Sequence, residues 1–165
     1  MKPQLVVVNV SEAFFEKDGP ISPSDLSGFT SGFSADPLVI SAKLEEDLSE
    51  FSRDERLAYA NELGIESGLD KVIRECYKLL NLITFYTVKG GETLRAWPLT
   101  QGSDIIDAAE KVHSDFAEKF IRAEVVQAEE LINAGSWLAA KEAGIVDVRG
   151  RDYVVENEDV VEFKV

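Results

Sequence analysis

Cysteine occurs once in the 165 residues, so no internal disulfide can form, which fits a reducing cytoplasm. Histidine also occurs once, and no His/Cys cluster has zinc-ligand spacing. The acids are unevenly spaced and form no calcium loop, so no metal ligands and no catalytic residues are assigned. No apolar run approaches the ~18–20 residues of a membrane-spanning helix. The opening MKPQLVVVNVSEAFF has one Lys, a short apolar run and no small-residue cleavage site, so no secretory signal is expected. Heptads, repeats and low-complexity tracts are missing. Positive charge is scarce: 17 Lys and Arg stand against 31 Asp and Glu, for a net charge of −14. Such a polyanion repels phosphate, which excludes broad nonspecific nucleic-acid binding. The deficit is uniform, with 8 basic and 15 acidic residues in 1–81 and 9 and 16 in 82–165. Any nucleic-acid contact must come from a local basic patch.

Hydrophobic residues make up 45% of the chain, enough for a core. Gln4–Asn9 (QLVVVN) and Leu38-Val39-Ile40 have the nearly continuous apolar character of parallel strands buried on both faces. The polar, turn-rich Asp18–Pro37 between them is expected to be mostly loop. Leu44–Leu63 reads as helical, with a Ser52/Glu55 capping box able to start a new helix and Gly64 ending it. Gly68–Leu80 reads as a helix with Leu69, Val72, Ile73, Cys76, Leu79 and Leu80 on one face. Cys76 is thereby a small core residue.

The chain is organised around Arg95–Val126. Leu82–Val88 and Thr93–Leu99 are β-rich runs joined through Lys89-Gly90-Gly91-Glu92, as in a hairpin. Ser103 or Asp104 can cap a helix at about 103–116, whose apolar face is Ile105, Ile106, Ala109, Val112, His113 and Phe116. His113 is expected to be a half-buried structural residue, because Ser114 and Asp115 point about 100° apart around the helix and cannot form a triad with it. Phe120–Val126 returns to a strand. Glu129–Ala134 and Trp137–Ala143 are short helices separated by Gly135. Ile145–Val148, Asp152–Val155 and Val160–Val165 are short strands, with Arg149-Gly150-Arg151 a charged hairpin tip. Phe85, Tyr86 and Trp97 are read as packing residues rather than base-stacking ones. The pattern predicts an α+β roll of the ubiquitin-like, β-grasp kind, with a domain boundary near Asn81.

Three segments, GLDKVIRECYKLLNLITFYTV, ETLRAWPLTQGSDIIDAAEKVHSDFAEKFIRAEVV and GRDYVVENEDVVEFKV, resemble the C-terminal end of the YchF, or Obg-like ATPase, family. The resemblance implies a TGS domain over 82–165 and, over 1–81, a C-terminal remnant of a P-loop GTPase-like α/β domain. Upstream, VVNVSE resembles the family's N-x-x-E base-recognition motif, and ISAKLEEDL its S-A-K loop. Asn9, Val10 and Glu12 would then border a nucleotide base, and Ser41, Ala42 and Lys43 would close over it. Glu12 stands where ordinary GTPases carry an Asp that accepts two hydrogen bonds from guanine. The longer side chain alters that geometry, in keeping with a family described as preferring ATP.

No G-x-x-x-x-G-K-[ST] phosphate loop occurs in the sequence. The chain is therefore expected to be part of a longer cytoplasmic ATPase or GTPase associated with ribosomes and translation. Full-length relatives would use ATP or GTP with Mg; this chain alone is expected to bind no cofactor and hydrolyse no nucleotide. The alternative is a stand-alone, non-catalytic TGS module that binds RNA, the ribosome or a protein. In either case Arg95, Lys119, Arg122, Arg149 and Arg151 are the expected contact residues toward a ribosome, RNA or a basic protein surface. No membrane partner is expected. The open strand edge in 1–81 predicts a homodimer.

Overall fold

In the computed structural model of the chain, residues 3–11, 37–52, 54–56, 58, 67–90 and 93–165 are described. The chain divides into two compact units, Met1–Leu80 and Asn81–Val165.

In the first unit, β1 (Val7–Asn9) and β2 (Leu38–Ile40) pair in parallel, with Val7 opposite Leu38 and Asn9 opposite Ile40. The ladder continues at both ends: Leu38 N–H donates to Val6 O at 2.8 Å and Val10 N–H to Ile40 O at 2.9 Å. The pairing follows expectation, but burial on both faces does not. Val7 is 41% exposed and all three residues of β2 are only partly buried. Apolar composition makes a strand fit for burial, and neighbours decide whether burial occurs.

Helix α1 (Ala42–Ser49) begins where Ser41 Oγ accepts the Leu44 N–H at 3.3 Å. It stops at Ser49, just before the Ser52/Glu55 capping box that the sequence offered as the start of a new helix within 44–63. The Ser52/Glu55 box then forms reciprocally: Ser52 N–H donates to Glu55 Oε2 at 2.8 Å, and Glu55 N–H to Ser52 Oγ at 3.4 Å. Leu57 and Gly64 lie outside the described residues, as does nearly all of the expected 18–37 loop. Helix α2 (Gly68–Leu79) is tied to α1 through Glu45, whose carboxylate accepts the Gly68 N–H at 2.5 Å and the Ser67 hydroxyl at 3.1 Å. A Cβ on Gly68 would lie 2.9 Å from Ile40 Cγ2, so glycine is required by this close approach. The apolar face of α2 stays largely open, with Leu69 57% and Ile73 49% exposed, and Cys76 is only partly buried rather than a core residue.

The second unit holds a five-stranded mixed sheet in the order β4-β3-β7-β5-β6. The strands are β3 (Leu82–Lys89), β4 (Thr93–Thr100), β5 (Arg122–Gln127), β6 (Asp147–Arg149) and β7 (Asp159–Lys164). β3 and β4 form the expected antiparallel hairpin, with Lys89 opposite Thr93. The last strand, β7, enters the middle, parallel to β3 and antiparallel to β5. That placement, with a helix crossing one face, is the β-grasp arrangement, and the fold is α+β.

Alternation assigns the two faces. One carries Ile83, Phe85, Leu99, Ala123, Val125 and Val161 into the main core, against Ile105, Ala108 and Ala109 of α3 (Ile105–Val112). Trp97 packs at its margin and donates Nε1–H to Thr87 Oγ1 at 3.0 Å, and Phe85 is fully buried, so both are packing residues as expected. The other face carries Tyr86, Val88, Val126 and Val160 into a second core, closed by Trp137.

Asp104 caps α3, its Oδ1 accepting the N–H groups of Ile106 and Asp107, each at 2.9 Å. The expected single helix over 103–116 is broken. His113 is extended, with φ −168°, and α4 (Ser114–Glu118) starts afresh with His113 Nδ1 accepting the Asp115 N–H at 3.2 Å. The break keeps Phe116 against the core while turning His113 outward, so the expected half-buried His is 62% exposed at its side chain. Beyond β5, α5 (Ala128–Ala134) and α6 (Trp137–Glu142) are joined through Gly135, whose φ of 81° is left-handed.

Two further expectations are corrected. Asp152–Val155 makes no strand, only an isolated bridge between Val154 and Asp104. With no strand at Asp152–Val155 to pair back onto β6, Arg149-Gly150-Arg151 is not a hairpin tip but the start of a crossing loop. That loop is held by Tyr153 O and Val155 N–H, which bond Ile105 N–H (2.8 Å) and Ser103 O (3.1 Å). It ends at Asp159, 1% exposed, whose carboxylate accepts Gln127 Nε2–H (2.6 Å), Tyr153 Oη–H (2.8 Å) and Glu156 N–H (2.9 Å).

Candidate functional site

Two groups of residues are of interest, one in each unit. In the first, the parallel register of β1 and β2 brings the ends of both strands together. Asn9 Oδ1 accepts the backbone N–H of Ala42 at 2.9 Å across 33 residues of sequence. The N-x-x-E and S-A-K segments are thus joined by a hydrogen bond, with Asn9, Val10, Ser41 and Ala42 gathered at one end of the strand pair. Ser41 is 3% exposed, and its hydroxyl is committed to capping α1. Lys43 turns along α1 instead, pairing with Asp47 at 2.7 Å and Glu46 at 3.2 Å. The hydrogen bond to Asp47, then that to Glu46, holds its ammonium above the ordinary lysine range. Glu12 lies outside the described residues. The sequence holds no phosphate-loop donors for a triphosphate or its magnesium.

In the second unit, three of the five expected cations come together and two do not. Ala123 pairs with Arg149 across β5 and β6, which puts Arg149 on the main-core face of the sheet, while Arg122 alternates to the other face with Glu124. Arg151 donates Nη2–H to Phe120 O at 3.0 Å and stacks over the Phe120 ring at 5.6 Å. Lys119 directly precedes Phe120. Lys119, Arg149 and Arg151 therefore gather around the start of β5 on one face of the sheet. Arg95 lies on β4, the opposite edge of the sheet.

The ion pairs of this corner are loose or exposed. Lys119 reaches Asp115 at 3.7 Å with side chains 66% and 57% exposed. Arg149 bonds Asp147 at 2.6 Å and lies 5.0 Å over the Tyr153 ring. Exposed pairs of this kind are worth about 0–1 kcal/mol, so a phosphate or carboxylate can exchange for them at little cost.

Sequence reasoning did not find the charged group on the far face of the sheet. Glu124 and Glu162 stand opposite each other on β5 and β7, a like-charge pair with side chains 12% and 14% exposed. Lys141 bridges them, 2.7 Å from Glu124 and 3.5 Å from Glu162, and Lys164 lies 2.8 Å from Glu162. Trp137 Nε1–H also donates to Glu162, at 3.0 Å. Burial alone would raise the Glu162 pKa, but Lys164, through its hydrogen bond and charge, brings it below the ordinary range. The signal was present in sequence as two acids at apolar-face positions of strands.

Among the described residues, no group of His, Cys, Asp and Glu could hold a metal ion, and no helix is long and apolar enough to cross a membrane.

A β-grasp sheet preceded by a parallel strand pair bearing N-x-x-E and S-A-K segments defines the class: a β-grasp domain following the end of a P-loop GTPase-like α/β domain. The family model for the C-terminal region of YchF GTPases, described as a protein of unknown function (DUF933), matches residues 82–165. The chain belongs to the YchF family. Ribosome-binding ATPase YchF of Bacillus subtilis (strain 168) is 39% identical over 165 residues, which is 99% of this chain and 45% of that protein. The protein of the same name from Escherichia coli O157:H7 is 37% identical over 164 residues, 99% and 44% respectively. The Schizosaccharomyces pombe YchF GTPase structure matches 98% of this chain and 43% of its own, with a TM-score of 0.81 at 28% identity. A GTP-binding protein from Pyrococcus horikoshii OT3 shares the fold, with a TM-score of 0.61 at 19% identity. The chain spans a little under half the length of these relatives and matches their C-terminal part.

Proposed function

We propose that this chain provides the ribosome-contacting part of a cytoplasmic YchF-type nucleotide-binding protein. Residues 82–165 are a TGS domain, and 1–81 are the end of a P-loop ATPase or GTPase domain. The observation that carries the contact reading is the convergence of Lys119, Arg149 and Arg151 at one corner of a unit with 9 basic and 16 acidic residues. Each phosphate neutralised needs a local cation, so an acidic protein binds RNA only where its cations are concentrated. The relatives' name, ribosome-binding ATPase, supports the same partner. Arg95, on the opposite edge, and Arg122, on the other face, contribute little to this contact.

Asn9, Val10, Glu12, Ser41 and Ala42 supply the base side of the family's nucleotide site, and Lys43 flanks it. Hydrolysis requires the phosphate cradle and Mg²⁺ of longer relatives, so this chain alone turns over neither ATP nor GTP. Its solution should release no phosphate from either nucleotide, before and after Asn9→Ala. Turnover that survives repurification and is lost in Asn9→Ala would overturn this part.

The contact reading is tested by co-sedimentation with ribosomes over a salt series. Wild type should pellet at low salt and be released as salt rises, while Arg149→Glu/Arg151→Glu stays in the supernatant throughout. A double variant that pellets like wild type would remove the corner from the interface.

A further inference from the structure

The α5–α6 hairpin has an inner and an outer side. Leu131 packs against the second core, and Trp137 and Ala140 are buried, at 7% and 0% exposure. The residue after each of the first two, Ile132 and Leu138, lies about 100° further round its helix and faces water. Ile132 is 76% exposed and Leu138 67%, and Ile132 is the most exposed large hydrophobic among the described residues. Single exposed apolar residues are ordinary on a protein surface. Here two share one hairpin that is fixed from below. Trp137 Nε1–H is bonded to Glu162, and Lys141 is paired with both Glu124 and Glu162 and lies 5.7 Å from the Trp137 ring. Leu138 also borders a cavity of about 430 Å³ lined with Gly90, Ser136, Trp137, Lys141, Glu162 and Lys164. Glu129, Glu130 and Glu142 are all exposed on the same two helices, Glu129 three residues before Ile132 and Glu142 four after Leu138, so that these two share a helical face with their apolar neighbours.

We propose that the outer side of α5–α6, with this cavity, is a docking surface for a basic protein segment that carries an apolar anchor. The anchor covers Ile132 and Leu138, and its Arg or Lys side chains meet Glu129, Glu130 and Glu142. RNA does not fit. The three carboxylates repel phosphate, Trp137 is buried and offers no stacking face, and Lys141 is engaged by two carboxylates. The surface uses none of the residues of the cationic corner, so the two contacts stand or fall separately.

The probe is a fluorescein-labelled 14-residue amphipathic peptide with leucines on one face and arginines beside them. Its counterpart has glutamate at every arginine position. Binding is read on the full chain by fluorescence anisotropy, and located by amide chemical-shift changes. The arginine peptide should bind at least tenfold more tightly than the glutamate peptide, with shifts concentrated in residues 128–143. Ile132→Ser/Leu138→Ser should lose at least tenfold in affinity with its melting temperature unchanged. Leu94→Ser, which removes an equally apolar residue 58% exposed on β4, should bind as wild type. Glu129→Lys/Glu130→Lys should shift preference toward the glutamate peptide. Equal binding of the two peptides, shifts centred outside 128–143, loss in Leu94→Ser equal to that in the hairpin variant, or displacement of the arginine peptide by a 20-nucleotide oligouridylate would each overturn the proposal.

Discussion

The two units have similar apolar sequence and very different burial. Asn81–Val165 encloses two cores, and Phe85, Ile105 and Val161 are fully buried there. In Met1–Leu80, Leu48 is the one buried large hydrophobic among the described residues, while Val7, Leu69 and Ile73 are 41%, 57% and 49% exposed. Hydrophobic runs record what a segment is suited to, and the topology around them determines whether that suitability is used. The second unit closes because β7 returns to the middle of the sheet and gives both faces a partner. In the first, β1 and β2 are three residues each and pair only with one another among the described residues.

This contrast can be broken or sharpened by substitution, because both tryptophans, Trp97 and Trp137, belong to the second unit. Their fluorescence reports its unfolding alone. The largest effect is expected from Phe85→Ala, which empties a fully buried site and should destabilise the Trp-detected transition by about 3–5 kcal/mol. Next is Gly68→Ala. The added methyl meets Ile40 Cγ2, a branched side chain with little freedom to retreat, at a cost of about 1–3 kcal/mol. Hydrogen exchange in α1 and α2 should accelerate while the Trp-detected transition stays where it was. Ile40→Ala in the same chain should recover part of the loss. A Trp transition that moves with Gly68→Ala would show that the units unfold together.

Smaller still are the caps. Asp104→Ala removes the acceptor of two helix N–H groups and should cost about 1 kcal/mol in the Trp-detected transition. Ser41→Ala should cost a similar amount, visible only by exchange in α1.

Local rules explain what was legible. The two strands of 82–100 follow from their β-rich residues and the glycines between them, and Asp104 is a common capping residue. The break at His113 was not legible, because Val112 and Phe116 keep helical spacing across it and histidine is outside the usual capping set. The loss of a strand at Asp152–Val155 was equally hidden: its β-forming residues bond the start of α3, a partner about 50 residues earlier in the chain. Of the candidate sites, residue types were legible and company was not. The Asn9–Ala42 bond and the separation of Arg95 and Arg122 from the other three cations depend on register and strand order. Asp159 advertised itself only as an acid directly before Val160-Val161.

That acid gives the smallest expected effect. Burial raises the Asp159 pKa above its ordinary value of 3.8, outweighing the hydrogen bonds from Glu156 N–H, Tyr153 and Gln127 that favour the anion. An acid whose pKa is higher when folded keeps its proton while the unfolded chain loses it. Its contribution to stability is therefore constant at low pH and declines as pH rises from about 3.8 through the folded value. Asp159→Asn cannot ionise, so wild type should lose ground to it across that window in pH-dependent melts. A wild type that gains on the variant as pH rises would mean that the hydrogen bonds, and not burial, dominate.

The most direct test of the account is whether the second unit carries the partner contact by itself. Residues 81–165 expressed alone should melt cooperatively and pellet with ribosomes at low salt to the same extent, and with the same salt dependence, as all 165 residues. If the folded 81–165 unit stays in the supernatant at the lowest salt while the whole chain pellets, the contact lies in Met1–Leu80 and the account is wrong.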